Sequence, residues 1–113
     1  MEIEHVFRAL ADHHRLYLLD LLAQTDGQTL TELSAHLPMS RFGAMKHLRV
    51  LEDAGLVSAR KVGREKLHHL NPAPMRDVAD WVGRYRLLWE ARLDRLEDYV
   101  QEFQQEQKEP KND

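Results

Sequence analysis

A mainly α-helical fold carrying one small β-hairpin is what this sequence predicts, on three observations. Apolar residues recur at three- and four-residue spacing through most of the chain, as they do in amphipathic helices. That period gives way to short strand-like runs only between Leu56 and Leu70, around a glycine-bearing turn. With 113 residues, 42% hydrophobic and 31% charged, the chain can bury one core but is too short for two ordinary ones.

Ile3, Val6, Phe7 and Leu10 follow helical spacing and predict a short first helix, with Asp12 near its end. Leu16, Leu18, Leu19, Leu21 and Leu22 are apolar on nearly all sides and predict a buried central helix, ended by Thr25-Asp26-Gly27. Thr29 or Thr31 caps a third helix through Leu30, Leu33 and Leu37, Thr29-x-x-Glu32 having capping-box spacing. Pro38 stops it.

Ser40 is a good N-cap for a fourth helix from Arg41 to Ala54, which Gly55 closes. Ala44, Leu48 and Leu51 give it an apolar seam. Its other side carries Arg41, Phe42, Met45, Lys46 and Arg49: three cations, no acid and two large apolar groups. Two short helices joined by a tight turn, the second one basic, make a helix-turn-helix, and such an outer face suits the major groove of DNA. The same pattern also fits an ordinary surface helix with a solvated charged face. What surrounds it favours the first reading.

Leu56 to Lys61 and Lys66 to Leu70 read as two strands around Val62-Gly63-Arg64-Glu65, a hairpin with a basic tip. Directly behind a helix-turn-helix, such a hairpin is a wing, its tip lying along phosphates. Asn71-Pro72-Ala73-Pro74 redirects the chain. From Met75 to about Gln105 runs one long helix, on the order of 45 Å at ~1.5 Å per residue. Val78, Val82, Tyr85, Trp89, Leu96 and Phe103 recur along it at spacings near 3.5, and Trp81, Leu88, Leu93, Tyr99 and Val100 widen the stripe. A helix this long outreaches a body of some 70 residues, so it is expected to pack on its own copy. The expected dimer interface is Val6 and Phe7 of the first helix with Val78, Val82, Tyr85, Trp89 and Leu96. The whole is a winged helix-turn-helix in the order α1-α2-α3-α4-β1-β2-α5, dimeric. It is expected to form one domain over residues 1–103, with residues 75–103 as the dimerisation helix and polar residues 104–113 as a disordered tail.

The net charge of −3 hides an asymmetry. Met39 to Leu70 holds seven cations and three acids, leaving an acidic remainder. A basic segment in an acidic body is a localised electrostatic footprint. There is no cysteine, which excludes disulfides, thiolate metal sites and thiol nucleophiles. MEIEHVFRALAD is acidic and amphipathic rather than a secretory signal, and no apolar run has membrane-spanning length, so a cytoplasmic protein without a membrane partner is expected.

The literal residues resemble the ArsR family of bacterial and archaeal winged-helix transcription regulators from Val6 to Phe103. The resemblance rests on FRALAD (Phe7 to Asp12), TLTELSAHL (Thr29 to Leu37), MSRFGAMKHLRVLEDAGLV (Met39 to Val57) and VGREKLHHLNP (Val62 to Pro72). It looks closest to a cysteine-free subgroup with RFG-x-MKHL in the recognition helix, whose genes often neighbour one for a START-like ligand-binding protein. The resemblance implies a homodimer of five helices and a two-stranded wing that binds a palindromic operator and represses transcription. It places groove contacts at Ser40, Arg41, Phe42, Met45, Lys46 and His47, and wing contacts at Lys61, Arg64 and Lys66. To these the basic helix face adds Arg49. Phe42 and Met45 stand where the family commonly has small or polar residues, which suggests contact with thymine methyls. His13-His14 replaces the family's frequent Pro-Thr.

Family metal sensors use thiols in the third helix or His/Asp/Glu pairs in the last one. Here the third helix has no thiol, and the long helix offers Asp77, Asp80, Glu90 and Asp94 without a histidine. His13-His14 and His68-His69 are adjacent pairs whose side chains should point apart. A site from His5, His13 and His14 is the remaining metal alternative, and an interaction module without specific DNA binding is another reading. No metal or cofactor is expected, although a small-molecule or protein inducer is compatible with the chain. No catalytic motif is present: no glycine-rich phosphate loop, no H-E-x-x-H and no G-x-S-x-G. An enzyme is not expected.

Overall fold

Short polar side chains set the helix starts. In the computed structural model, which describes residues 3–108, α1 (Ile3–Leu10) gives way to α2 (His13–Gln24) at Asp12. The Asp12 backbone is extended, and its Oδ1 accepts from the amides of His14 and Arg15 at 2.9 and 3.1 Å. Asp12 therefore opens the second helix rather than closing the first. At Thr29 both halves of the capping box form: the Glu32 amide donates to Thr29 Oγ1 at 3.1 Å, and the Thr29 amide to Glu32 Oε1 at 3.4 Å. The helix it starts, α3 (Leu30–Ser34), is shorter than the spacing of Leu30, Leu33 and Leu37 suggested. Leu37 is still buried, carried there by a turn.

Ser40 caps α4 (Arg41–Asp53), its Oγ accepting from the Gly43 amide at 3.1 Å. Gly55, at φ +76°, ends it. The Gly55 amide donates to the Glu52 carbonyl and the Leu56 amide to that of Leu51, both at 2.9 Å, with Leu51 and Leu56 buried together. This is a Schellman closure. Next, β1 (Val57–Val62) and β2 (Glu65–Leu70) pair antiparallel from Val57↔Leu70 to Val62↔Glu65. Two residues, Gly63 and Arg64, make the turn. Only Gly63 takes a positive φ, of +63°, as a type II′ hairpin turn demands of its first central residue.

The core gathers Val6 and Ala9 of α1, Leu18, Leu21 and Leu22 of α2, Leu33, Leu37, the α4 seam Ala44, Leu48 and Leu51, and then Leu56 and Val57. Each leucine taken fully out of water contributes roughly 1.5–3 kcal/mol. Two expectations change here. The second helix is not apolar all round in its setting: Leu16 and Tyr17 are 45% and 43% exposed, so one side faces the core and the other does not. Val6, assigned above to a dimer interface, is 0% exposed inside the protomer and belongs to its core.

The last helix, α5 (Ala73–Lys108), has 36 residues, about 54 Å at ~1.5 Å per residue. Pro74 sits in its first turn, where its missing N–H costs nothing. Pro74 is buried and Val78 packs partly against the core, so Val78 is only partly available to a partner. From Ala79 onward the helix is a compact unit of its own. The element starts two residues before Met75, and residues 104–108, expected in the tail, are helical; the rest of that tail lies outside the described residues. Among the described residues no helix is long and apolar enough to cross a membrane.

Candidate nucleic-acid interface

The α4 seam turns Ala44, Leu48 and Leu51 inward, which leaves the opposite side of the helix facing outward beside the hairpin. Together α3, α4 and the hairpin line an open groove of about 650 Å³. Arg41 and Arg49 of α4 and Arg64 and Lys66 of the hairpin bring four cations to it, with Met45 and Leu48 at its floor. Met45 is half-buried there, not exposed as its helix position suggested. Glu32, Glu52 and Glu65 are the acids. Lys61 and Lys66 are directly opposite in the strand register and so share one hairpin face.

Phe42, 61% exposed, and Lys46 stand one turn apart on α4, with Lys46 Nζ 4.6 Å from the Phe42 ring centroid. This is a cation–π contact on the outer face of the helix. Ser40 spends its hydroxyl on the helix cap.

His47 departs from the expected set. It is half-buried, with Nδ1 3.4 Å from Arg15 Nη1 and 3.9 Å from Asp12 Oδ1. It thus joins α4 to the start of α2 rather than facing the groove. Arg15 Nε donates to the Ala9 carbonyl at 2.6 Å and Nη2 to that of Arg8 at 3.1 Å, capping the end of α1. Burial opposes ionisation of Asp12, but the Arg15 and His14 amides and the Arg15 charge outweigh it and hold the carboxyl below its ordinary value. The rings of His13 and His14 were expected to diverge, yet their centroids lie 3.9 Å apart. At the first turn of α2 no preceding turn restricts their rotamers. Among the described residues no group of three or more His, Asp or Glu side chains is arranged to hold a metal ion.

Sequence reasoning missed the joint beneath the groove. His68 is 4% exposed, and its Nδ1 lies 3.0 Å from the Gln28 carbonyl, to which it donates. Its Nε2 lies 3.6 Å from Glu52 Oε1, and Lys66 Nζ is 4.0 Å from the same oxygen. Gln28 also bridges β2 through its backbone, while its buried amide donates to the Leu21 and Thr25 carbonyls at 2.8 and 2.6 Å. The end of α2, the start of α3, the wing and α4 meet here. No local signal marks it, since Gln28 lies in the polar run Thr25-Asp26-Gly27-Gln28-Thr29 and His68 between Lys66 and His69. Nearby, the hydrogen bond to His69, at 2.9 Å, holds the exposed Asp26 carboxyl below its ordinary value.

On α5 the residues Trp81, Val82, Tyr85 and Trp89 form a shallow apolar patch, with the Trp81 and Tyr85 rings 4.9 Å apart. Arg86 and Glu90 pair beside it at 2.9 Å. Leu96 is exposed further along, and Phe7 on α1 is half-buried.

A compact helical body, a capped basic helix behind a tight turn and a hairpin flanking it define a winged helix-turn-helix protein. A family described as a helix-turn-helix domain matches residues 10–59. The solved structure of an ArsR-like transcriptional regulator from Rhodococcus sp. RHA1 is 33% identical, with 86% of this chain and 91% of that one covered and a TM-score of 0.68. The chain belongs to the ArsR family of winged helix-turn-helix transcriptional regulators. It is 29% identical to the transcriptional repressor SdpR of Bacillus subtilis over 71% of this chain and 88% of that protein. A homodimeric winged helix-turn-helix DNA-binding domain from Mycobacterium bovis is 28% identical, covering 75% of this chain and 81% of that one, with a TM-score of 0.61.

Proposed function

We propose that this chain is a homodimeric, sequence-specific repressor that seats α4 in the major groove and lays the wing on flanking phosphates. The observation that carries the reading is the basic groove between α4 and the hairpin, with Lys61 opposite Lys66 on one hairpin face. Two like charges directly opposed across strands repel each other, and a phosphate placed between them removes that penalty. Repression and dimer formation are supported by the SdpR and M. bovis relatives. The apolar patch of α5 supports that helix as the interface, with Val82, Tyr85, Trp89 and Leu96 at its centre. RFG-x-MKHL without cysteine assigns the chain to a subgroup that does not sense metals through thiolates.

In this arrangement residues 1–103 act as one cytoplasmic regulator whose two recognition helices reach half-sites roughly 10 bp apart, centre to centre, in a palindromic operator. Arg41, Met45 and Arg49 face bases or their flanking phosphates, and Lys61, Arg64 and Lys66 face the backbone. The test is binding to a fragment of the chain's own promoter, titrated against salt and unlabelled random DNA. A saturable complex that resists competitor and has a steep salt slope supports the reading. Failure to bind even at low salt would instead favour a protein-interaction module.

A further inference from the structure

We infer that Phe42 and Lys46 act as one composite reader, selecting a thymine directly beside a guanine in each half-site. This inference rests on the DNA-binding reading above and names the bases that reading leaves open. Phe42 lies in the first turn of α4, where recognition helices meet base edges, and is 61% exposed. A large aromatic ring held in water on a basic surface calls for an apolar partner, and in the major groove that partner is the thymine methyl. One side of the ring is already taken: Lys46 Nζ lies 4.6 Å from its centroid. The ammonium is therefore drawn back toward the start of the helix, on an exposed side chain.

The chemistry of an ammonium in the major groove is set by its donors, and the base edge offering two acceptors is guanine, through O6 and N7. Successive base pairs stack about 3.4 Å apart, and the ring-to-ammonium separation of 4.6 Å spans one such step with a modest offset. With the edge of the ring on a thymine methyl and its occupied face turned along the stack, the ammonium falls at the neighbouring pair. The two side chains also stiffen each other, so less rotamer freedom is lost when both bases are engaged. Removal of the ring should then weaken guanine discrimination as well as methyl recognition.

The experiment is selection of binding sites from random 20-base-pair duplexes by the full-length chain, repeated with Phe42→Ala, Lys46→Ala and Lys46→Arg. Both side chains are outside the core, and circular dichroism confirms that each variant folds. The expected motif carries a T·A pair next to a G·C pair, retained by Lys46→Arg and lost by the two alanine variants. On the selected duplex, deoxyuridine in place of that thymine should weaken binding roughly fourfold per half-site for the parent chain and leave Phe42→Ala unchanged. A selection that returns no motif sinks the sequence-specific reading and this inference with it. A motif without that step, insensitivity to deoxyuridine, or full guanine preference in Phe42→Ala overturns this inference alone.

Discussion

Asp12 does its work through the backbone and pays out differently at different pH. Its carboxylate accepts two amides at the head of α2, so Asp12→Ala should destabilise the fold by about 1 kcal/mol in urea denaturation at pH 7. Asp12→Asn keeps a capping oxygen and should cost less. The folded carboxyl is held below its ordinary value, because burial, which opposes ionisation, is outweighed by the Arg15 and His14 amides and the Arg15 charge. The stabilisation tied to ionisation is therefore complete above that value and disappears as pH falls through the lower folded one. Asp12→Asn should accordingly lose less stability than the parent between pH 5 and the acid limit. An acid limb as steep in the variant as in the parent would remove Asp12 from the account. Asp26, held down by its bond to His69, acts with the same sign. None of this was legible beforehand, because Asp12 looked like the tail of one helix and only its amide partners place it at the head of the next. His47 and His68 were opaque for a related reason: their partners lie 32 and 40 residues away, and no local spacing reveals them.

The elements themselves were largely readable, since caps and turns are written within four residues of where they act. Thr29-x-x-Glu32, Ser40 and Gly55 all behave as their chemistry requires. What stayed hidden was how far each element runs and which side is covered, as Leu16, Tyr17 and the short α3 illustrate. Within the wing, Gly63 is the sensitive position. At φ +63° a β-branched residue is strained, and Gly63→Val should cost about 1–2 kcal/mol in hairpin stability, seen as early loss of β2 amide protection in hydrogen exchange. Arg64 beside it lines the groove and is exposed. Arg64→Ala should weaken binding about equally on all DNA sequences and lower the salt slope by roughly one per protomer. Arg41→Ala should instead relax base preference, with a loss of roughly 1–3 kcal/mol of discrimination. Fluorescence anisotropy on operator and scrambled duplexes separates the two, and the reverse pattern would exchange their roles.

At the scale of the molecule, two copies span an operator in the proposed reading, and the apolar area of α5 is what would join them. Trp89→Asp places a charge in its shallow patch and should convert the dimer to monomer in sedimentation, with loss of specific DNA binding. A variant that sediments as a dimer would move the interface elsewhere. The family fold could be read from motifs because the recognition stretch Met39 to Val57 is contiguous. Val6, expected at a partner surface, shares the helical spacing of Phe7, yet packing inside the protomer claims it completely.

The exposed stripe of α5 has a further consequence for how the protein melts. In the proposed dimer, burial of Trp89, Leu93, Leu96 and Phe103, each more than half exposed in the protomer, against a second chain would tie the folded state to mass action. The midpoint of thermal unfolding then climbs with protein concentration, and dilution sheds protomers whose bare aromatic helix invites clumping and proteolytic clipping. A regulator built this way is cleared fastest when it is scarce, so its own abundance sets how long each copy survives.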